Sequence, residues 1–380
     1  MRQDPSHVAV ALAAGLMVLI GATPRVLHSA GLLPGELRFI GLSDAHFAWQ
    51  DLGLAGGRLP YLDAPYWYPP LIGYLTAILS LLADDRAYFV AGWSLAVAGV
   101  AAAAAYLMSR EAGPRRTLVY WSLAPQLVLL APVNVDVLPA ALVAGAIVLD
   151  RTRRHVGAAA ALALGAAAKL YPAVAAPLLV VRLIRSGAPV AAATAGTAFV
   201  LTLSLLYLPT LVAPHPGTEY LAVYAAGVVA NVDSPWGLVR SALEGNGIES
   251  TRLILVGSTV GFLATYALLV LPRAARARDP AVALALAVIT LLLWTRLYSV
   301  QYAIWLLPFF VLLPLRGRTF AFLAVADVAV FFAALGLLTR TLSDPTVLTA
   351  VMIVAVILRH VALVGTWREV ARLARPAGAS

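Results

Sequence analysis

A single lysine stands among the twenty-seven lysine and arginine residues of this chain, and its neighbours are apolar. Lys169 lies in Ala166-Ala167-Ala168-Lys169-Leu170-Tyr171-Pro172, where an ammonium at membrane depth requires an anionic partner. A compact point charge of this kind suits a lipid phosphate; the other reading is a lysine snorkelling to the interface from a helix end. Asp44, in Ser43-Asp44-Ala45-His46, is placed either to act as a general base or to cap the helix that follows. His46, two residues on, either touches a phosphate or an acceptor or is an incidental loop histidine. Asn134 and Asp136, in Pro132-Val133-Asn134-Val135-Asp136, either hold sugar hydroxyls and orient Lys169 or form an ordinary Asx turn. Arg296, beside Trp294, either meets a phosphodiester at headgroup depth or anchors the chain at the interface. A base that takes a hydroxyl proton, together with cations that stabilise a departing phosphate, is the equipment for transfer from a lipid phosphate.

These groups must be positioned by membrane helices. The chain is 62% hydrophobic and 12% charged, too little polar cover for a soluble domain of this size. Six stretches, at residues 8–27, 87–108, 189–209, 252–272, 319–338 and 345–365, are long enough to cross a bilayer core. Residues 117–149 read as two helices broken at 131–136, residues 156–184 as two short helices broken at Lys169, and residues 280–315 as two broken around 294–302. The expectation is an all-α polytopic bundle of about twelve transmembrane helices. That count places the arginines near 110–116, 151–154, 182–185, 273–278, 316–318 and 368–375 on one side, the cytoplasmic side by the positive-inside tendency. Twelve of the eighteen acids fall on the other side. The net charge of +9 is then topological bias, and no basic segment interleaved with aromatics offers a nucleic-acid surface.

Both termini are expected inside, with an uncleaved first helix. Two outer segments, 28–86 and 210–250, interrupt the helices, the first holding a short apolar run at 71–83 and the second Tyr220, Tyr224, Asn231, Asp233 and Trp236. The absence of cysteine excludes disulfides, thiol nucleophiles and cysteine metal sites. His215 has no second ligand near it in sequence, so no metal site is expected there. Asp327, within an apolar span, needs an interhelical hydrogen bond or a partner such as Arg359. No hydropathy pattern matches the first half to the second, which weighs against the repeat architecture of secondary transporters.

Five motifs occur in order along the chain. They are the Asp44 segment with Gly56-Gly57-Arg58-Leu59-Pro60-Tyr61-Leu62-Asp63, then Tyr68-Pro69-Pro70, Asn134-Val135-Asp136, Lys169-Leu170-Tyr171-Pro172, and Tyr298-Ser299-Val300-Gln301-Tyr302 running on to Trp305 and Pro308. Together they resemble the family 87 membrane glycosyltransferases of the GT-C superfamily, which use polyprenyl-phosphate mannose. The resemblance implies one GT-C-like membrane domain over residues 1–380 and a groove open to the bilayer. It implies an outer-face catalytic base after the first helix, a position that Asp44 matches. Beside the resemblance, the chemistry of the residues gives the expectation of donor-phosphate binding by Lys169 and Arg296 and of substrate contacts from His46, Tyr68, Asn134, Asp136, Tyr298 and Gln301. The implied partners are a polyprenyl-phosphate sugar donor, a lipid-linked or cell-envelope glycan acceptor and the plasma-membrane bilayer, with no cofactor. Two positions depart from the pattern: Trp67, where relatives carry Glu, and Val300, where Pro commonly precedes Gln-Tyr. The competing reading is a flippase for a lipid-linked sugar, which would line both faces with polar residues, whereas acids and aromatics here concentrate outside.

Overall fold

The computed structural model describes residues 4–215, 229–340 and 344–374. Glu219, Tyr220, Tyr224 and Arg375 lie outside them. Among the described residues the regular structure is helical apart from one isolated bridge between Pro60 and Ala64.

Six helices are long and apolar enough to cross a membrane: Pro5–Ser29, Arg86–Ala112, Pro189–Leu211, Thr251–Ala274, Gly317–Thr339 and Pro345–Leu373. They coincide with the six stretches read from sequence. Several begin at proline behind an acidic cap. The Asp4, Asp279 and Asp344 carboxylates accept from the N–H groups of Ser6, Ala281 and Thr346 at 2.9, 3.0 and 2.7 Å. Proline at the first helical position lacks the N–H that would otherwise be left over, and the side-chain oxygen satisfies a neighbouring donor.

The other apolar helices are short, including Pro70–Leu81, His155–Ala168 and Pro280–Trp294. At about 1.5 Å per residue, helices of this length cover roughly 20 Å, less than the ~30 Å hydrocarbon core. The twelve or so crossings expected from sequence are therefore represented by six full-length helices and a set of interrupted ones. The chain turns at residues 131–136 between helices Pro125–Leu130 and Val137–Arg151. It becomes extended at Lys169 (φ −158°, ψ 133°), between helix His155–Ala168 and the 3-10 turn Tyr171–Ala175. It breaks again between Trp294 and the 3-10 segment Val300–Leu306. Each break frees backbone donors and acceptors, which are tolerated at membrane depth only inside protein or along a cavity. All three breaks meet at one end of the bundle, as the contacts of the site show below.

The first helix is locked against the first of these breaks. A Cβ on Gly21 would lie 1.8 Å from the Val128 carbonyl oxygen, so the two backbones touch with no room for a side chain. One turn later the buried Arg25 donates to the carbonyls of Gly21 at 2.5 Å, Leu129 at 2.8 Å and Leu42 at 3.2 Å. Leu42 immediately precedes Ser43 and Asp44, and Leu129 lies in the last turn of helix Pro125–Leu130, two residues before the 131–136 turn. One guanidinium therefore fixes the spacing of both segments.

At the opposite end of the bundle the arginine-rich loops interlock. Arg116 donates to the carbonyls of Phe310 and Val311 at 2.7 and 3.0 Å. Arg151 pairs with Asp279 at 2.7 Å, and Asp150 receives Arg182 at 2.5 Å and His155 at 2.6 Å. Arg316 and Thr319 reach Glu369. The loops that the charge pattern assigned to one side thus assemble at one end of the molecule.

The close contact at Gly21 has a measurable consequence. Gly21→Ala is expected to cost about 1–3 kcal/mol through overpacking against backbone that cannot yield. Gly99→Ala, where an added Cβ meets nothing within 4 Å, is expected to be neutral or slightly stabilising. Thermal unfolding of the two purified variants followed by tryptophan fluorescence checks the difference.

Candidate active site

Asp44 is the first residue of the short helix Asp44–Asp51, and its cap is Ser43, whose hydroxyl accepts from the Ala45 N–H at 3.2 Å. The capping alternative for Asp44 is thereby answered: a neighbour performs that task, so the Asp44 carboxylate is not held by its own helix. Its backbone N–H donates to the Val133 carbonyl at 2.8 Å, and Ser43 Oγ donates to Pro132 at 3.1 Å. The start of the helix is therefore seated on the 131–136 turn.

Two side chains bind the Asp44 carboxylate, both through Oδ2. Tyr68 Oη donates at 2.5 Å, and Asn134 Nδ2 donates to the same oxygen while lying 3.1 Å from Tyr68 Oη. Oδ1 accepts no hydrogen bond among the described residues, and the residue is half-buried rather than sealed. Burial pushes the Asp44 carboxyl above its ordinary value; the Tyr68 hydroxyl and the Lys169 charge pull it down, and the Asp136 charge raises it again, with a net upward shift.

Tyr68 is held in turn by the aromatic cluster before it. The Tyr61 hydroxyl donates to the Tyr68 carbonyl, and the rings of Tyr61, Tyr66 and Tyr68 follow one another at 5.7 and 5.9 Å. Tyr61 has φ of 67°, a left-handed conformation costly for an aromatic residue. Its ring fills the place where a Cβ on Gly73 would sit, 2.3 Å from the ring. Pro69 and Pro70 then launch the helix Pro70–Leu81.

Lys169 also contacts Tyr68. Its Nζ is 5.6 Å from the Tyr68 ring centroid and 5.1 Å from that of Tyr302, cation–π distances. It pairs with Asp136 Oδ2 at 3.4 Å. Asp136 is fully buried, and its other oxygen accepts from Trp305 Nε1 at 2.7 Å. Trp305 is sandwiched between Tyr171 and Tyr302, each ring 3.9 Å away and nearly parallel. Lys169 thus turns into the protein toward a carboxylate, rather than out along the helix end as the snorkelling alternative requires.

The remaining residues singled out from sequence sit elsewhere. His46 is two positions beyond Asp44, about 200° around a helix. It faces Ser29 and Arg86, each at 3.4 Å, and stacks on His28 at 4.9 Å. Arg296 donates to the Val229 carbonyl at 3.0 Å, and its own carbonyl receives Asn231 N–H at 2.9 Å, so it fastens the second outer segment. Tyr298 is fully buried, with the Arg359 guanidinium 3.8 Å from its ring centroid. Gln301 is half-exposed at the start of the 3-10 segment that carries Tyr302 and Trp305. Asp327 accepts from Gln126 at 3.1 Å, the interhelical hydrogen bond among its alternatives, while Arg359 bonds the Asp233 carbonyl.

Tyr302, Trp305 and Tyr171 lie within the sequence motifs but had no role assigned to them there. The usable signal was the three-residue interval between Tyr302 and Trp305 in a segment tightened into a 3-10 turn, where side chains three apart eclipse and stack. Asp136 was a second signal, because a carboxylate buried on a turn needs both of its oxygens satisfied.

A carboxylate with one oxygen free of hydrogen bonds among the described residues and a paired ammonium thus both contact Tyr68. Residues 66–300 match the family model described as Glycosyltransferase family 87. No curated protein matches the chain. The matched region contains Tyr68, Asn134, Asp136, Lys169 and Arg296; Asp44 precedes it and is bound by two of its residues. With more than half of its length matched, the chain belongs to glycosyltransferase family 87.

Proposed function

We propose that this membrane glycosyltransferase moves mannose from a polyprenyl-phosphate donor to a hydroxyl of a lipid-linked or cell-envelope glycan, at the outer face of the plasma membrane and with inversion. The observation that carries the reading is that Asp44 and Lys169 both contact Tyr68. Asp44 Oδ1 takes the acceptor hydroxyl proton as the acceptor oxygen bonds to the anomeric carbon. The bond from that carbon to the phosphate oxygen breaks, and its electron pair leaves with the polyprenyl phosphate. The leaving group gains one negative charge, which Lys169 meets. Tyr68 and Asn134 hold the carboxylate in place, and Asp136 and Trp305 hold the ammonium.

Asp44→Asn preserves size and leaves the Ser43 cap intact. Transfer from polyprenyl-phosphate mannose should fall by about 10²- to 10⁴-fold, the usual worth of a general base, with donor binding retained. Because burial raises the Asp44 carboxyl, wild-type rates should drop on acidification at a pH above the ordinary carboxylate range, and this limb should vanish in the variant. The linkage sign separates this loss from unfolding: a carboxyl whose folded-state value is raised binds its proton more tightly when folded, so its protonation favours the native state. Normal turnover of folded Asp44→Asn protein would remove the assignment.

Deleting Lys169 alone leaves the buried Asp136 carboxylate unpaired, a cost of about 3–5 kcal/mol. The double variant Lys169→Ala/Asp136→Asn removes the pair together and is expected to fold, but to lose donor use; Lys169→Arg should retain part of it. Donor KM and kcat measured separately with polyprenyl-phosphate mannose check this. Undiminished donor use by the folded double variant contradicts phosphate binding at Lys169.

Sidedness is accessible because the chain has no cysteine. Single cysteines at Gly57 and Arg153 should be labelled by an impermeant reagent in intact cells at Gly57 and not at Arg153. The reverse pattern inverts the proposed orientation.

A further inference from the structure

The arginine-rich end of the bundle contains two cavities of different character. The larger, about 800 Å³, is lined by arginines including Arg151, Arg182 and Arg278, and by Asp150 and Asp279. Two of the six arginines that line it, Arg151 and Arg182, are met within the protein by Asp279 and Asp150. The smaller, about 430 Å³, lies between the end of span Thr251–Ala274 and the end of helix Pro345–Leu373. Arg273, Arg276, Arg368 and Arg372 line it together with Trp367, and no carboxylate does. Among the described residues no ion pair involves any of these four arginines. The nearest acid in sequence, Glu369, turns to Arg316 and Thr319 instead.

Four like charges around one cavity repel, and the Arg368/Arg372 pair at i,i+4 is unfavourable on an isolated helix. Such an arrangement is stabilised by an anion from outside the chain. The surroundings indicate which anion. Val364 and Val361 stand one and two turns before Arg368 on the same helix face, and both are exposed. Leu268 and Leu269 are exposed one turn before Arg273, whose Nη1 donates to the Leu269 carbonyl at 2.8 Å. Apolar residues that face lipid thus lead from both helices to the cationic cavity. Trp367 closes it, its ring 5.4 Å from the Arg273 guanidinium and its Nε1 donating to Thr290 at 3.0 Å, an aromatic placed where headgroups begin. We infer that this cavity binds an anionic phospholipid, its phosphate among the four arginines and its acyl chains along the two flanking helices. A free phosphate would use the arginines but not the apolar track.

The test is native mass spectrometry of the purified full-length protein titrated with phosphatidylglycerol, with phosphatidylcholine, and with phosphatidylglycerol in the presence of inorganic phosphate. Preferential retention of phosphatidylglycerol is expected, undisturbed by phosphate at matched concentration. Arg276→Gln/Arg368→Gln/Arg372→Gln should weaken retention roughly a hundredfold, since each surface cation contributes on the order of tenfold or somewhat less. Arg153→Gln/Arg185→Gln, altering exposed arginines of the other cavity, should leave it unchanged. Equal retention of both lipids by the wild-type protein overturns the inference. So does an unaltered affinity in the triple variant, or displacement of the lipid by phosphate alone. Should the triple glutamine variant fail to fold, Arg276→Lys/Arg368→Lys/Arg372→Lys keeps the charge, and the wild-type lipid preference still decides the matter.

Discussion

The Asp136 carboxylate joins three interrupted helices. It sits at the end of the 131–136 turn, pairs with Lys169 at the second break, and accepts from Trp305 in the 3-10 segment that follows the third. Each break leaves backbone groups that hydrocarbon cannot satisfy, and each can exist only where protein surrounds it. A fully buried charge, with one oxygen on a cation and the other on an indole N–H, gives the breaks a common centre. Removing one partner of such a pair is far more costly than never having formed it. The same charge aims the single lysine of the chain back into the protein.

Asp44 depends on that centre at one remove. Its helix is seated on the 131–136 turn through Val133, and its Oδ2 is bound from the same turn by Asn134 and from the aromatic cluster by Tyr68. Arg25 ties the first helix, the segment that leads into Asp44 and the helix that leads into the turn by donating to carbonyls of all three. The Asp44 carboxylate, at the start of a short helix, is thereby held by segments distant in sequence. Burial raises its carboxyl, while the Tyr68 hydroxyl and the Lys169 charge restrain the rise.

A second polar knot fastens the other outer segment. Arg359 donates to the Asp233 carbonyl and covers the Tyr298 ring, Asn231 Nδ2 donates to Ser299 at 2.9 Å, and Trp236 Nε1 donates to the Trp294 carbonyl at 2.9 Å. Arg296, expected at a phosphate, takes part in this fastening. Its bond to the Val229 carbonyl joins residues 67 apart in sequence, which no local pattern reports.

Composition and periodicity were enough to identify a polytopic helical protein, because twenty apolar residues in a row have few other solutions in water or in lipid. They also gave the six long helices and the three breaks, since proline, a lone lysine and a turn rich in Asn and Asp interrupt helices by local chemistry. Ordered motifs gave the family, and the family model agrees over residues 66–300. The pairing of side chains was decided by the tertiary structure alone. Asp44 and His46 are neighbours in sequence but lie on opposite faces of one short helix, whereas Asp44 and Asn134, or Asp136 and Trp305, are far apart in sequence and in contact. Local pattern reports which residues share a helix face, over a range of a few residues. The partner of a buried charge is set by how whole helices pack, and no local interval encodes that.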